Sequence, residues 1–140
     1  MTGKFCGSGA KTPAGYHIWL WSQLEPDRLS IKVARALADG ANEIWISPVS
    51  SWEIMMLCQK NRLVLKPDPA GWIANALLTI SCREAPLTHE VAVATSRVKL
   101  PHNDPADRFL AATALVFKLT LVTADEKLLR GSGFKTLANK

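Results

Sequence analysis

The chain has 140 residues, 48% of them hydrophobic and 21% charged, with 17 Lys and Arg against 12 Asp and Glu for a formal charge of +5. That is the composition of one domain with its own core, and it excludes a disordered chain and a stapled miniprotein. The longest uncharged stretches, such as Gly71 to Cys82, fall short of the ~18 apolar residues a spanning helix needs, and three cysteines without ligand spacing point to a reducing cytoplasm.

Residues 1–16 read as an atypical leader. Gly3, Gly7, Gly9, Pro13 and Gly15 crowd a stretch with no apolar periodicity and no signal-peptide pattern, so residues 1–14 are expected to be poorly ordered. The domain, 17–140, begins abruptly with HIWLWSQL. A turn at Glu25-Pro26-Asp27 leads to a helix in LSIKVARALADG, where Ser30 can cap, Val33, Ala34, Leu37 and Ala38 share a face, and Gly40 stops it. EIWIS, from Glu43 to Ser47, has the β-branched and aromatic content of a strand.

Three helices then open on a cap followed by proline: Ser47-Pro48 before a helix running to Leu63, Asp68-Pro69 before AGWIANALLTI, and Asp104-Pro105 before ADRFLAATALVFK. Between the last two, REAPL reads as a strand and Thr88 leads into a helix over HEVAVATSRVKL. The end of the chain reads as a strand LTLVTA, a short helix DEKLL closed by Gly131, and a last strand FKTLA. Strands separated by helices of this length predict a parallel α/β sheet flanked by helices.

Sites in such sheets gather beyond the carboxyl ends of the strands, which singles out Glu53 after EIWIS and Asp125 after LTLVT. Asp104 and Asp107, in the first turn of the preceding helix, can reach the same edge. Clustered carboxylates raise one another's pKa, and the remedy is a hard divalent cation, Mg2+ or Mn2+, which acidifies a bound water for phosphodiester hydrolysis. Each acid also has a structural explanation. Asp104 is a good N-cap, Asp107 can complete a capping box, and Asp125 can cap DEKLL. Glu53 is harder to dismiss, because Trp52, Ile54 and Met55 surround it with apolar neighbours. The five tryptophans read as core or dimer contacts. His17 and His102 flank the acid motifs without metal-ligand spacing, and Arg108 reads as pairing with an acid, meeting a substrate phosphate or simply being solvated.

SSWEI at 50–54, HNDPADRFLAATA at 102–114 and LVTADEKL at 121–128, in this order and spacing, closely resemble the PIN-domain ribonucleases, specifically VapC-type toxins of toxin-antitoxin pairs. The resemblance covers essentially residues 17–138. It implies a three-layer α/β/α fold, four acids holding Mg2+ or Mn2+, an RNA substrate, an antitoxin partner and a homodimer. By resemblance Glu53 is the second acid, Asp107 the third and Asp125 the fourth, with Asp104 an accessory acid and Thr123 a hydroxyl that would hydrogen-bond a ligand carboxylate.

The first acid is missing. The family opens with a hydrophobic strand ending Leu-Leu-Asp-Thr, whereas this chain reads Pro13-Ala14-Gly15-Tyr16, with Gly15 at the Asp position. Reverse translation of Ala10 to Tyr16 one base out of frame admits Leu-Lys-Leu-Leu-Leu-Asp-Thr, in register with His17. A one-base deletion just before His17, in the gene or its sequencing, accounts for that. As written, the chain is expected to have lost its central first strand with the acid and to be impaired in cleavage. The alternative is an inactive PIN-like module that binds antitoxin or RNA without cutting. Without the leader's Lys4 and Lys11 the basic surplus falls from five to three, and the acids carry the functional case.

Overall fold

In the computed structural model, residues 4–7 and 17–140 are described, the first four and His17 by backbone alone. The helices start where a side-chain oxygen can accept an N–H that the first turn leaves over. Ser30 accepts from Val33 N and opens α2 (Ile31–Ala38), Ser47 accepts from Val49 N and opens α3 (Pro48–Gln59), and Asp68 accepts from Gly71 N and opens α4 (Pro69–Thr79). Thr88, Asp104 and Asp125 do the same for α5 (His89–Ala94), α6 (Pro105–Phe117) and α7 (Glu126–Leu129). HIWLWSQL is α1 (His17–Leu24), joined to α2 by a 3-10 turn over Pro26–Arg28.

The strands are β1 (Lys4–Gly7), β2 (Glu43–Ile46), β3 (Cys82–Glu84), β4 (Thr120–Thr123) and β5 (Lys135–Ala138), in the order β3-β2-β1-β4-β5, every neighbouring pair parallel. Here the expectation for the leader is corrected in part. Lys4–Gly7 takes the central slot, pairing Phe5 with Ile44 on one side and with Thr120 on the other, so the inner edges of β2 and β4 are covered. Backbone N–H and C=O groups pair without regard to side chains, which is why a segment outside the expected motif can serve. The rest of residues 1–16, including Gly15, lies outside the described residues.

Three elements end sooner than expected. α3 stops at Gln59 because Asn61 is left-handed, φ 56°, and Arg62 N turns back to Leu57 O. REAPL pairs only over Cys82–Glu84, since Pro86 has no N–H to give. The helix after Thr88 ends at Ala94, tightens into a 3-10 turn over Thr95–Arg97, and gives way to Lys99 bridging Ser132.

Side chains alternate across the sheet and are covered on both faces, as a parallel sheet requires. On one face Leu121 packs with Leu110 and Ala114 of α6 and with Leu128 and Trp45. On the other, Val122 packs with Ile18 of α1 and Val33 of α2, and Ile46 with Trp19, Ile54 and Ala76. These are the three layers the sequence predicts.

Candidate active site at the carboxyl edge

β2 and β4 deliver their carboxyl ends to the same edge of the sheet. Beyond β2 the chain turns at Ser47 into α3, and Glu53 follows in the second turn of that helix. Beyond β4, Thr123 is fully buried, and its hydroxyl accepts the backbone N–H of Asp125 at 3.0 Å. That bond sets where Asp125 leaves the strand. Asp125 Oδ1 accepts Lys127 N at 2.9 Å, and its other oxygen, Oδ2, is buried without a hydrogen bond. Asp125 therefore caps the helix with one oxygen and keeps the other buried and unbonded.

α6 brings two more acids. Asp104 Oδ1 accepts Ala106 N at 2.9 Å as the N-cap, while Asp107, one turn in, is 1% exposed. A carboxylate that buried is disfavoured unless something compensates its charge. His102 Nε2 stands 3.2 Å from Asp107 Oδ2. No capping-box bond from Asp107 back to the Asp104 N–H forms, because that N–H goes to His102 Nδ1 at 3.0 Å.

Glu53 reports how these groups act together. Its carboxyl is pushed up to about 8, first by burial and then by the charges of Asp107, Asp104 and Asp125. Glu53 Oε1 is buried with no hydrogen-bond partner. Four acids from three elements therefore share one electrostatic field, with two orphaned oxygens, Glu53 Oε1 and Asp125 Oδ2, inside it. Among the described residues no three His, Cys, Asp or Glu side chains close a preformed cage. Donor type and charge fit a hard divalent cation, but the side chains have to draw together to ligate one.

Other expected residues fall outside this cluster. Arg108 of α6 donates to Asn103 Oδ1, in the loop before the helix, at 3.4 Å. Trp19 is buried against Trp72, whereas Trp52, beside Glu53, is half exposed and no part of the core. An apolar cleft of about 300 Å³ lies between α1, α2 and β2, and none of the four carboxylates lines it. Sequence reasoning missed Asn139, whose side chain accepts Ser30 N at 2.6 Å and donates to Arg28 O at 3.0 Å, tying the end of the chain to the start of α2. No motif marks a residue that acts across 109 positions.

The PIN domain family profile matches residues 17–133. The chain belongs to the PIN-domain family. It is also 32% identical over 115 residues to Ribonuclease VapC22 of Mycobacterium tuberculosis, an alignment covering 80% of this chain and 85% of that protein. The expected fold and the VapC type are therefore met, and PIN nucleases as a class use divalent metals. No described helix is long and apolar enough to cross a membrane.

Proposed function

We propose that this chain is by descent a Mg2+- or Mn2+-dependent endoribonuclease of the VapC toxin type, impaired by the loss of its first acid at Gly15. The observation that carries the reading is Glu53, a carboxyl pushed up to about 8 by burial and by three neighbouring acids, with one oxygen buried and unbonded. Such an arrangement disfavours the ionised side chain unless a cation neutralises it. Glu53, Asp107 and Asp125 would hold the ion, Thr123 keeps Asp125 at the strand end, and Asp104 adds negative charge from the helix cap. A bound divalent cation would supply an acidified water and charge stabilisation at a phosphodiester. RNA as substrate, a cytoplasmic setting, a homodimer and an antitoxin partner follow from the resemblance to VapC toxins. The apolar cleft lined by Ile18, Trp19, Leu29 and Leu37 supports a protein partner.

A second reading has its own observation. Residues 1–16 contain no Asp or Glu, and the described carboxylates close no cage. An inactive PIN module that binds antitoxin or RNA without cutting is consistent with both.

One assay separates the readings: Mg2+-dependent RNA cleavage by this chain, by a version with Leu-Leu-Asp-Thr at 13–16, and by that version carrying Asp107→Asn. The nuclease reading expects weak or no cleavage from the first, robust cleavage from the second and none from the third. Activity in the unaltered chain sinks the inactive module, and a folded but inert restored chain sinks the nuclease. Gene sequence decides the origin of the leader. Codons for residues 12–15 far from ACTCCTGCTGGAT rule out the one-base deletion.

A further inference from the structure

His102 stands in the loop before α6, two residues ahead of the N-cap, and both of its ring nitrogens have something to do. Nδ1 accepts the backbone N–H of Asp104 at 3.0 Å. A nitrogen that accepts carries no proton, so the neutral ring must carry its proton on Nε2. Nε2 stands 3.2 Å from Asp107 Oδ2, near enough to pair though short of a well-aligned hydrogen bond, with the imidazole 12% and the carboxylate 2% exposed. The ring has no lone pair left for a metal, and its donor faces an acid.

We infer that His102 is a positioning residue whose Nε2–H faces and orients the Asp107 carboxylate. The inference rests on the reading of Asp107 as a metal ligand. The backbone of Asp104 selects the imidazole tautomer, the tautomer selects which Asp107 oxygen is engaged, and the N-cap holds all three in one turn. Partners of this kind, one bond removed from the metal, fix ligand orientation, and their loss typically weakens metal binding 10–100-fold.

Two near-isosteric substitutions separate positioning from loop structure. In His102→Asn the amide oxygen still accepts the Asp104 N–H, but no donor from position 102 reaches Asp107. In His102→Gln the amide nitrogen falls where Nε2 lies. Calorimetric titration of the full chain with Mn2+ should show roughly 10–100-fold weaker binding for H102N, which still melts in one cooperative transition, and H102Q within about threefold of the unaltered protein. Long-range 1H–15N NMR of the metal-free protein should find His102 neutral with its proton on Nε2. Equal affinity for H102N and the unaltered protein overturns the inference, as does a proton on Nδ1. Absence of Mn2+ binding by the unaltered chain with the Nε2–H tautomer present overturns instead the reading of Asp107 as a ligand, and the inference with it.

Discussion

β1 and β4 lie side by side at the centre of the sheet, run parallel and reach the same edge, but only β4 delivers chemistry there. Val122 of β4 is in register with Gly7 of β1. One residue on, β4 ends in buried Thr123, whose hydroxyl seats Asp125, whereas no Asp or Glu occurs anywhere in residues 1–16. A strand slot asks only for backbone N–H and C=O groups at the right spacing, and many sequences meet that demand. A ligand position asks for one carboxylate at one place, and almost none do.

The largest expected effect is on that contrast itself. Placing Leu-Leu-Asp-Thr at 13–16, so that a strand ending in an acid competes with Lys4–Gly7 for the central slot, should raise Mg2+-dependent RNA cleavage by about 100-fold or more, since a direct ligand matters at least as much as its supporting neighbours, and Asp107→Asn should then remove the gain. An unchanged cleavage rate would mean that a missing acid is not what separates β1 from β4.

Next comes what β4 contributes to the core. Leu121 is fully buried between the sheet and α6, so Leu121→Ala should destabilise the protein by roughly 2–5 kcal/mol in urea unfolding, through lost burial and the cavity left behind. A loss below ~1 kcal/mol would show that the face collapses around the gap.

The field at the edge predicts a pH effect of intermediate size. Glu53 titrates at about 8 when folded against an ordinary value of 4.5, so between those values the folded state keeps a proton the unfolded chain has released. Its contribution to stability is complete below pH 4.5 and is lost as pH rises through 8. Metal-free protein should melt at a lower temperature near pH ~9 than near pH ~5.5, and Glu53→Gln should flatten that slope. A slope that E53Q leaves unchanged would remove Glu53 from the shared field.

The smallest effect separates Asp104 from the other acids. With one oxygen spent on the Ala106 N–H, Asp104→Ala should cost about 1 kcal/mol of stability, as N-cap losses do. Calorimetry should find Mn2+ affinity reduced less than by Asp107→Asn. The reverse order would make Asp104 a ligand in its own right.

Much of this was legible in the chain because it is local. The six caps Ser30, Ser47, Asp68, Thr88, Asp104 and Asp125 all accept an N–H two or three residues ahead, a contact the sequence encodes within one turn. That Glu53 and Asp125 share an edge could be expected from strand ends, because a parallel sheet brings all its carboxyl ends to one side, and the first turn of the helix before β4 adds Asp107. The early stop of α3 was not legible. Leu63 continues an apolar pattern, and only the left-handed turn at Asn61 ends the helix. Nor was the strand at Lys4–Gly7, whose glycine-rich surroundings carry no periodicity.

The sequence by itself determined the parallel α/β plan, the order of helices and strands, the identity of the acids and the absence of one from the leader. Those are properties of spacing and residue type within single elements. Tertiary structure decided the rest. It set which oxygen of Asp125 caps and which stays unbonded, how far three distant acids push Glu53, which nitrogen of His102 holds a proton, and what fills the central strand. The shift at Glu53 and the filling of the central slot depend on groups far apart in the chain, and burial strengthens the electrostatic interactions among the acids.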